Sequence, residues 1–209
     1  EGEDGTIQKY LESKSIKFTG SSSLASEKAM DKNISKLLCV KHNIPTPNWI
    51  IIERSVNIKK DDWEKTIQSK LDNNRQLFLD DIVVKPTHEG SSIGISIVEK
   101  VSNMDRFKKA LLDAFALSDT IMTESFIDGR ELTVSILDDK VLPIVEIIPK
   151  GDYYDYKCKY TKFQSEYVIP AEIDKNTQEL LSAYSLKIHK LIGCGSYSRI
   201  DFRLSEDNE

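Results

Sequence analysis

The stretch Glu131 to Ile148, ELTVSILDDKVLPIVEII, constrains the fold most strongly. Leu132, Val134 and Ile136 alternate with Thr133 and Ser135, the two-residue period of a strand with one buried face. Asp138-Asp139 makes a tight turn, and a second apolar run follows from Val141 to Ile148. Two such runs across a short turn form an antiparallel hairpin. A hairpin alone is barely stable in water, so other elements must cover its apolar face.

Those elements are legible on either side. Residues 6–13 and 22–42 have helical periodicity, the second through Leu24, Ala25, Ala29, Met30, Ile34, Leu37, Leu38 and Val40. Asn43 and the Pro45-Thr46-Pro47 stretch end that helix. Trp49-Ile50-Ile51-Ile52 reads as a buried strand and 61–72 as a surface helix. Strands at 82–85 and 93–98, an amphipathic helix at 103–117 and a strand at 121–124 come next. Residues 151–166 read as irregular, 174–192 as helix and 198–204 as a final strand. The pattern is α/β with much antiparallel pairing, and it lacks the glycine fingerprint of a dinucleotide fold.

Composition narrows the function classes. With 29 basic against 34 acidic residues the net charge is −5, which argues against a general nucleic-acid binder. No run approaches the roughly 20 apolar residues of a membrane-spanning helix, and the first residues carry no signal-peptide pattern. Cys39, Cys158 and Cys194 are odd in number and widely spaced, so neither a disulfide framework nor a zinc site is expected and a reducing cytosol fits best. The chain reads as a segment of something longer, cut at both ends.

Four segments carry candidate chemistry. In VVKPTHEGSSIG an apolar strand ends in Lys85 and enters Glu89-Gly90-Ser91-Ser92-Ile93-Gly94. Backbone N–H groups and hydroxyls of such a loop can wrap phosphate oxygens, with Lys85 as a point charge. An ordinary hairpin with a snorkelling lysine would use the same residues. In ESFIDGRE, Glu124 ends one strand and Glu131 begins the next. That link can offer backbone groups to an adenine edge, Phe126 and Ile127 as apolar walls, and Glu131 to ribose hydroxyls; a turn with two solvated acids is the competing reading. YYDYKCKYT places four tyrosines and two lysines in a loop, where Lys159 could reach phosphate and Tyr160 a substrate; a partner contact is the alternative. In SYSRIDFRL, Arg199 and Asp201 share one face of a strand. That pairing suits Mg²⁺ beside a developing oxyanion, and equally a surface ion pair.

These segments in this order resemble the D-alanine–D-alanine ligases of the ATP-grasp superfamily. The resemblance runs through GEDGTIQ, FTGSSSLASEKAMDK, KPTHEGSSIG, ESFIDGRELTVSIL, YYDYKCKYT, YVIPAEI and GCGSYSRIDF. It implies an ATP-grasp fold, α+β or α/β, of two subdomains gripping the nucleotide and truncated at both ends. Residues 1–31 would be a remnant of the N-terminal substrate domain, 32–126 the central subdomain and 127–209 an incomplete C-terminal subdomain.

The resemblance also implies residue roles. Lys32 and Lys85 would contact the nucleotide phosphates, with Glu89, Gly90, Ser91 and Ser92 in a loop closing over them. Glu124, Phe126 and Ile127 would meet adenine and Glu131 the ribose. Tyr153 would flank the nucleotide, and Lys159 would reach the terminal phosphate. Ser91 and Tyr160 would pair over the D-alanine site, Arg199 would stabilise the tetrahedral intermediate, and Asp201 would bind Mg²⁺ or Mn²⁺. Family members carry further metal ligands and a second-substrate segment downstream, and a substrate-binding acid upstream. Lys9 and Phe163 stand where the family often has glycine, and Tyr160 favours an amine over D-lactate as nucleophile.

The activity implied is ATP-dependent joining of two D-alanine molecules through an acyl phosphate, in the cytoplasm, for peptidoglycan precursors. The 209-residue chain by itself is expected to be inactive. A homodimer is expected, with neither nucleic acid nor membrane as partner. A D-alanyl-D-lactate ligase, another ATP-grasp carboxylate–amine ligase and a bare nucleotide-binding module are the competing readings.

Overall fold

A computed structural model describes residues 2–54, 80–99, 104–149 and 165–206, together with 65, 67, 69, 70 and 72–74. The chain divides into two compact units. One comprises residues 1–46 and 127–209, the other 47–126.

The second unit is built on a four-stranded antiparallel sheet. Its strands are β1 (Trp49–Glu53), β2 (Ile82–Pro86), β3 (Ser96–Val98) and β4 (Thr120–Ser125), in the order β1-β4-β2-β3. Ile52 stands opposite Ile121, and Val84 opposite Thr123. Residues opposite one another share a face, so Ile52, Ile82, Val84 and Ile121 form one apolar surface. A helix, Met104–Phe115, covers it with Phe107, Leu111 and Ala114, all inaccessible to solvent. Burying a side chain the size of Phe107 or Leu111 contributes about 2 kcal/mol each. The alternate positions Val83, Lys85, Met122 and Glu124 therefore belong to the opposite face.

The first unit begins with three helices, α1 (Thr6–Ser13), α2 (Ser23–Met30) and α3 (Lys32–Lys41). The single helix expected over 22–42 is broken at Asp31. Its extended backbone stops α2, and its carboxylate accepts hydrogen bonds from the N–H groups of Asn33 and Ile34, capping α3. Ala25 and Ile44 pack with Ile188 and Ile192, so residues 32–46 group with this unit.

Its sheet contains β5 (Arg130–Leu137), β6 (Lys140–Val141), β7 (Val145–Pro149), β8 (Ser165–Val168) and β9 (Tyr197–Leu204). β9 runs along one edge of β5, while β6 and then β7 pair with the other. The expected hairpin is present, with Asp138 and Asp139 both at positive φ as in primed turns. Its return strand is not continuous: between β6 and β7 the register slips by one residue at Leu142-Pro143-Ile144, where proline has no N–H to give the ladder. Residues 165–168, partly expected to be irregular, form β8 beside β7.

Leu132, Val134 and Leu204 on one sheet face pack with Leu181 of the long helix Lys175–Ile192. Asp174 caps that helix at its start and Gly193, in the left-handed region, ends it. With the Met104–Phe115 helix as α4, this one is α5. All pairings among the described strands are antiparallel, which makes the architecture α+β. No described helix is long and apolar enough to cross a membrane.

Candidate functional site

In the second unit the polar face of the sheet holds one closely paired couple. Lys85 lies in β2 and Glu124 in β4, and the ammonium donates a hydrogen bond to the Glu124 carboxylate. Their side chains are only 17% and 11% exposed. Removing one partner would strand a charge in a place that excludes most water. This is why a lysine can end a buried strand: Glu124 on the neighbouring strand β4, two residues along from Met122 opposite Lys85, compensates it. The same site of positive charge is available to an anionic ligand able to compete for the ammonium.

The loop after β2 is tighter than its glycine and serine content suggests. Ile93 N–H donates to the Gly90 carbonyl at 3.0 Å, and the two residues between, Ser91 and Ser92, have φ of 52° and 60°. Left-handed backbone costs a non-glycine residue about 1 kcal/mol or more, and such strain tends to collect at functional positions. The strand expected from residue 93 starts only at Ser96, because Gly94 also has positive φ. A Cβ at Gly94 would sit 2.6 Å from Leu117 and 2.9 Å from Pro86, so glycine is required there. Phe126, just beyond β4, is fixed by its N–H donating to the Asp81 carbonyl at 2.8 Å.

In the first unit the polar face belongs to β5 and β9. The register sets Glu131 opposite Arg203, Thr133 opposite Asp201 and Ser135 opposite Arg199. Arg199 grips Asp201 through two hydrogen bonds, 2.9 and 3.0 Å, and Thr133 Oγ1 donates to the same carboxylate at 2.7 Å. The couple is open to solvent, at 59% and 48% exposure. Ser135 and Arg199 also line a cavity of about 590 Å³, with Glu3 and, from α2, Ser26 and Ala29.

Asp201 is a hard oxygen donor of the kind Mg²⁺ takes, and Mg²⁺ commonly uses one or two carboxylates with phosphate oxygens completing its shell. The donor chemistry therefore fits. Among the described residues no three His, Cys, Asp or Glu side chains cluster as metal ligands, so Asp201 could supply one ligand of a shell completed from elsewhere.

The other expected positions are distributed as follows. Lys32 is the first residue of α3, in the first unit. Ile127 begins the first unit's part of the link into β5, and Glu131 is the second residue of that strand. Glu89 and Gly90 precede the strained turn. Tyr153, Lys159, Tyr160 and Phe163 lie outside the described residues. Sequence reading missed Arg203, whose guanidinium reaches the Ile127 carbonyl and the Glu131 carboxylate. Its signal was present in SYSRIDFRL, where the alternation that joins Arg199 to Asp201 extends to Arg203.

Among the described residues the thiols have no evident chemical role, and Cys158 lies outside those residues. Cys39 and Cys194 are free, and burial pushes both above the ordinary thiol range, away from the reactive thiolate.

The family described as "D-ala D-ala ligase C-terminus" matches residues 38–209. The chain is 38% identical over 208 residues to the D-alanine–D-alanine ligase of Aquifex aeolicus, covering 100% of this chain and 65% of that protein. Among solved structures, the VanG D-Ala:D-Ser ligase of Enterococcus faecalis has a TM-score of 0.80 at 27% identity, over 100% of this chain and 58% of that one. The D-alanine–D-alanine ligase of Bacillus anthracis complexed with ATP has a TM-score of 0.75 at 29% identity, over 98% and 60%. The chain thus spans about two thirds or less of each of these relatives. Its fold is that of the D-Ala–D-Ala ligases, the ATP-grasp fold expected from the motifs. With 172 consecutive residues matched and the strands carrying Lys85, Glu124, Arg199 and Asp201 inside them, the chain belongs to the D-alanine–D-alanine ligase family, in its C-terminal part.

Proposed function

We propose that this chain carries the nucleotide-handling part of an ATP-dependent ligase that joins two D-alanines into D-alanyl-D-alanine for peptidoglycan precursors. The observation that carries the reading is the Arg199–Asp201–Thr133 array, a guanidinium and a carboxylate side by side on an exposed strand face next to a cavity. Family membership and the ATP complex of the B. anthracis relative support it.

A carboxylate is a poor electrophile, so the chemistry has two steps. The carboxylate oxygen of the first D-alanine attacks the terminal phosphorus of ATP; the bond to ADP breaks and an acyl phosphate forms. The amine of the second D-alanine then attacks the acyl carbon, and inorganic phosphate leaves. Phosphoryl transfer of this kind needs positioning and charge neutralisation more than a nucleophilic side chain. Lys32, Lys85 and Lys159 serve the phosphates in this reading, and Glu89 to Gly94 shelter them. Glu124, Phe126 and Ile127 meet the base, Glu131 the ribose, and Tyr153 flanks the nucleotide. Ser91 and Tyr160 pair at the D-alanine site. Arg199 stabilises the oxyanion that develops at the acyl carbon. Asp201 would hold Mg²⁺ or Mn²⁺, which neutralises phosphate charge when bound.

Residues 32–126 and 127–209 are the two nucleotide-binding subdomains in this reading, and 1–31 belong with the D-alanine-binding domain. The protein works in the cytoplasm as a homodimer. Sedimentation velocity on the natural-length protein checks the last point: a monomer throughout the micromolar range removes it.

The test is D-alanine-dependent ADP release by the protein at its natural length. ADP release requiring D-alanine, with D-alanyl-D-alanine as product, is expected; release driven by a different acid or amine overturns the substrate assignment. D-Serine and D-lactate are the competitors to include, since the fold likeness extends to a D-Ala:D-Ser ligase. The 209-residue chain alone binds ATP and does not turn over, in keeping with its 65% coverage of the Aquifex relative.

A further inference from the structure

We infer that Arg203 is a positioning residue for nucleoside recognition, holding the base wall Ile127 and the ribose acceptor Glu131 in one fixed arrangement. The inference rests on the roles proposed for those two residues.

Three observations carry it. Arg203 Nε donates to the Ile127 carbonyl at 3.1 Å, and Nη1 of the same guanidinium lies 3.6 Å from the Glu131 carboxylate. A planar guanidinium has its donors in a rigid fork, so one group bound at two edges fixes the distance between its partners. The register puts Arg203 directly opposite Glu131, and on the same β9 face as Arg199 and Asp201. Arg203 is therefore part of the polar ladder and separate from the α5-facing core.

The third observation is the close approach of the link to the end of β9. Gly129 has φ of 151°, and a Cβ there would come within 2.0 Å of the Leu204 carbonyl oxygen. The link from Ile127 to Gly129 is pressed against the residue that follows Arg203, and it bends where only glycine fits. Ile127 and Glu131 are four residues apart across that bend. The Arg203 guanidinium ties the Ile127 carbonyl across that bend.

The geometry distinguishes this guanidinium from the other arginine at the start of β5. Arg130 makes two short hydrogen bonds to Glu146, 2.7 and 2.6 Å, and a third to the Glu172 carbonyl, so all its contacts tie elements of the fold to one another. Arg203 meets the Glu131 carboxylate at 3.6 Å, and the two oxygens of a carboxylate have about four acceptor sites between them, so orientation by Arg203 is compatible with acceptance from ribose hydroxyls. Glu131 is 18% exposed and Arg203 34%, so the ion pair is sheltered without being sealed.

The consequence is a hydroxyl-specific readout. A carboxylate held in place by Arg203 accepts from the ribose, and a nucleotide lacking both ribose hydroxyls loses those charge-assisted bonds. Hydrogen bonds to a charged group correspond to roughly tenfold or more in affinity. The experiment is calorimetric binding of ATP and of 2′,3′-dideoxy-ATP to the 209-residue chain and to its Glu131→Gln, Arg203→Met and Arg203→Lys variants. Circular dichroism on each variant verifies folding.

The wild type is expected to prefer ATP roughly tenfold. Glu131→Gln and Arg203→Met each abolish most of that preference, the double variant loses no more than either single one, and Arg203→Lys restores part of it. A merely structural arginine would lower thermal stability and leave the preference intact. Preference retained in Arg203→Met, or in Arg203→Lys if the methionine variant does not fold, overturns the positioning role and leaves the nucleotide reading standing. Failure of the wild type to bind ATP at all overturns both.

Discussion

The four-stranded sheet sets its charged couple between neighbouring strands and buries it, whereas the five-stranded sheet sets its couple along a single strand and leaves it in solvent. Lys85 and Glu124 are 17% and 11% exposed; Arg199 and Asp201 are 59% and 48% exposed. Each sheet turns one face to an apolar core and the other to charged groups, so the two share a design and differ in dielectric surroundings. A sheltered pair is tied to folding, because neither charge can be left alone. An exposed pair contributes little to folding and is free for chemistry. Variants of the first pair should report mostly on stability, and variants of the second almost wholly on function.

The largest effect should come from splitting the sheltered couple. Glu124→Ala strands the Lys85 ammonium and is expected to cost about 3 kcal/mol in chemical denaturation. Adding Lys85→Met to the same chain should recover much of that loss. A cost below that of Arg199→Met would erase the contrast between the sheets.

A smaller loss, about 1 kcal/mol, is expected for Glu146→Gln, since Arg130 is partly exposed and its contribution is screened. This pair also predicts a pH dependence. The hydrogen bonds from Arg130 hold the Glu146 carboxyl below the usual glutamate range. A carboxylate favoured in the folded state stabilises fully above its unfolded pKa, and that share fades as pH falls through the folded value. Urea midpoints should therefore drop on acidification below about pH 4.5 more steeply in the wild type than in Glu146→Gln. Parallel pH profiles would remove the role assigned to this pair.

Ser91→Gly should move stability the other way, a gain of about 0.5 kcal/mol, by relieving positive φ net of glycine's entropy cost. If Ser91 serves the D-alanine site, the same variant lowers ADP release in the natural-length protein. Stability and activity changing in opposite directions is the signature expected. Arg199→Met sits at the end of the scale, within about 0.5 kcal/mol of wild-type stability while abolishing D-alanine-dependent turnover.

How much of this was readable beforehand follows from which forces act locally. The β5 alternation, the Asp138-Asp139 turn and the Asp174-capped α5 are local signals, and the elements appear where the pattern puts them. The break at Asp31 was hidden because apolar periodicity continues across it, and only the capping geometry reveals it. The slip at Pro143 and the late start of β3 at Ser96 come from one proline and one crowded glycine inside otherwise strand-like runs. For the site, Arg199 and Asp201 were legible as a pair because their spacing alone puts them on one face. Lys85 and Glu124 are 39 residues apart, and their contact depends on β4 pairing between β1 and β2, a long-range fact no local pattern encodes. Arg203 needed both its strand alternation and its partner strand, so it emerged only with the fold.

Calorimetric titration of the 209-residue chain with ATP in the presence of Mg²⁺ is the most direct test of the nucleotide role proposed for Lys85. Saturable binding at one site, weakened at least tenfold in Lys85→Met that is folded by circular dichroism, is the predicted result. No saturable binding, or the same affinity in the folded variant, contradicts it.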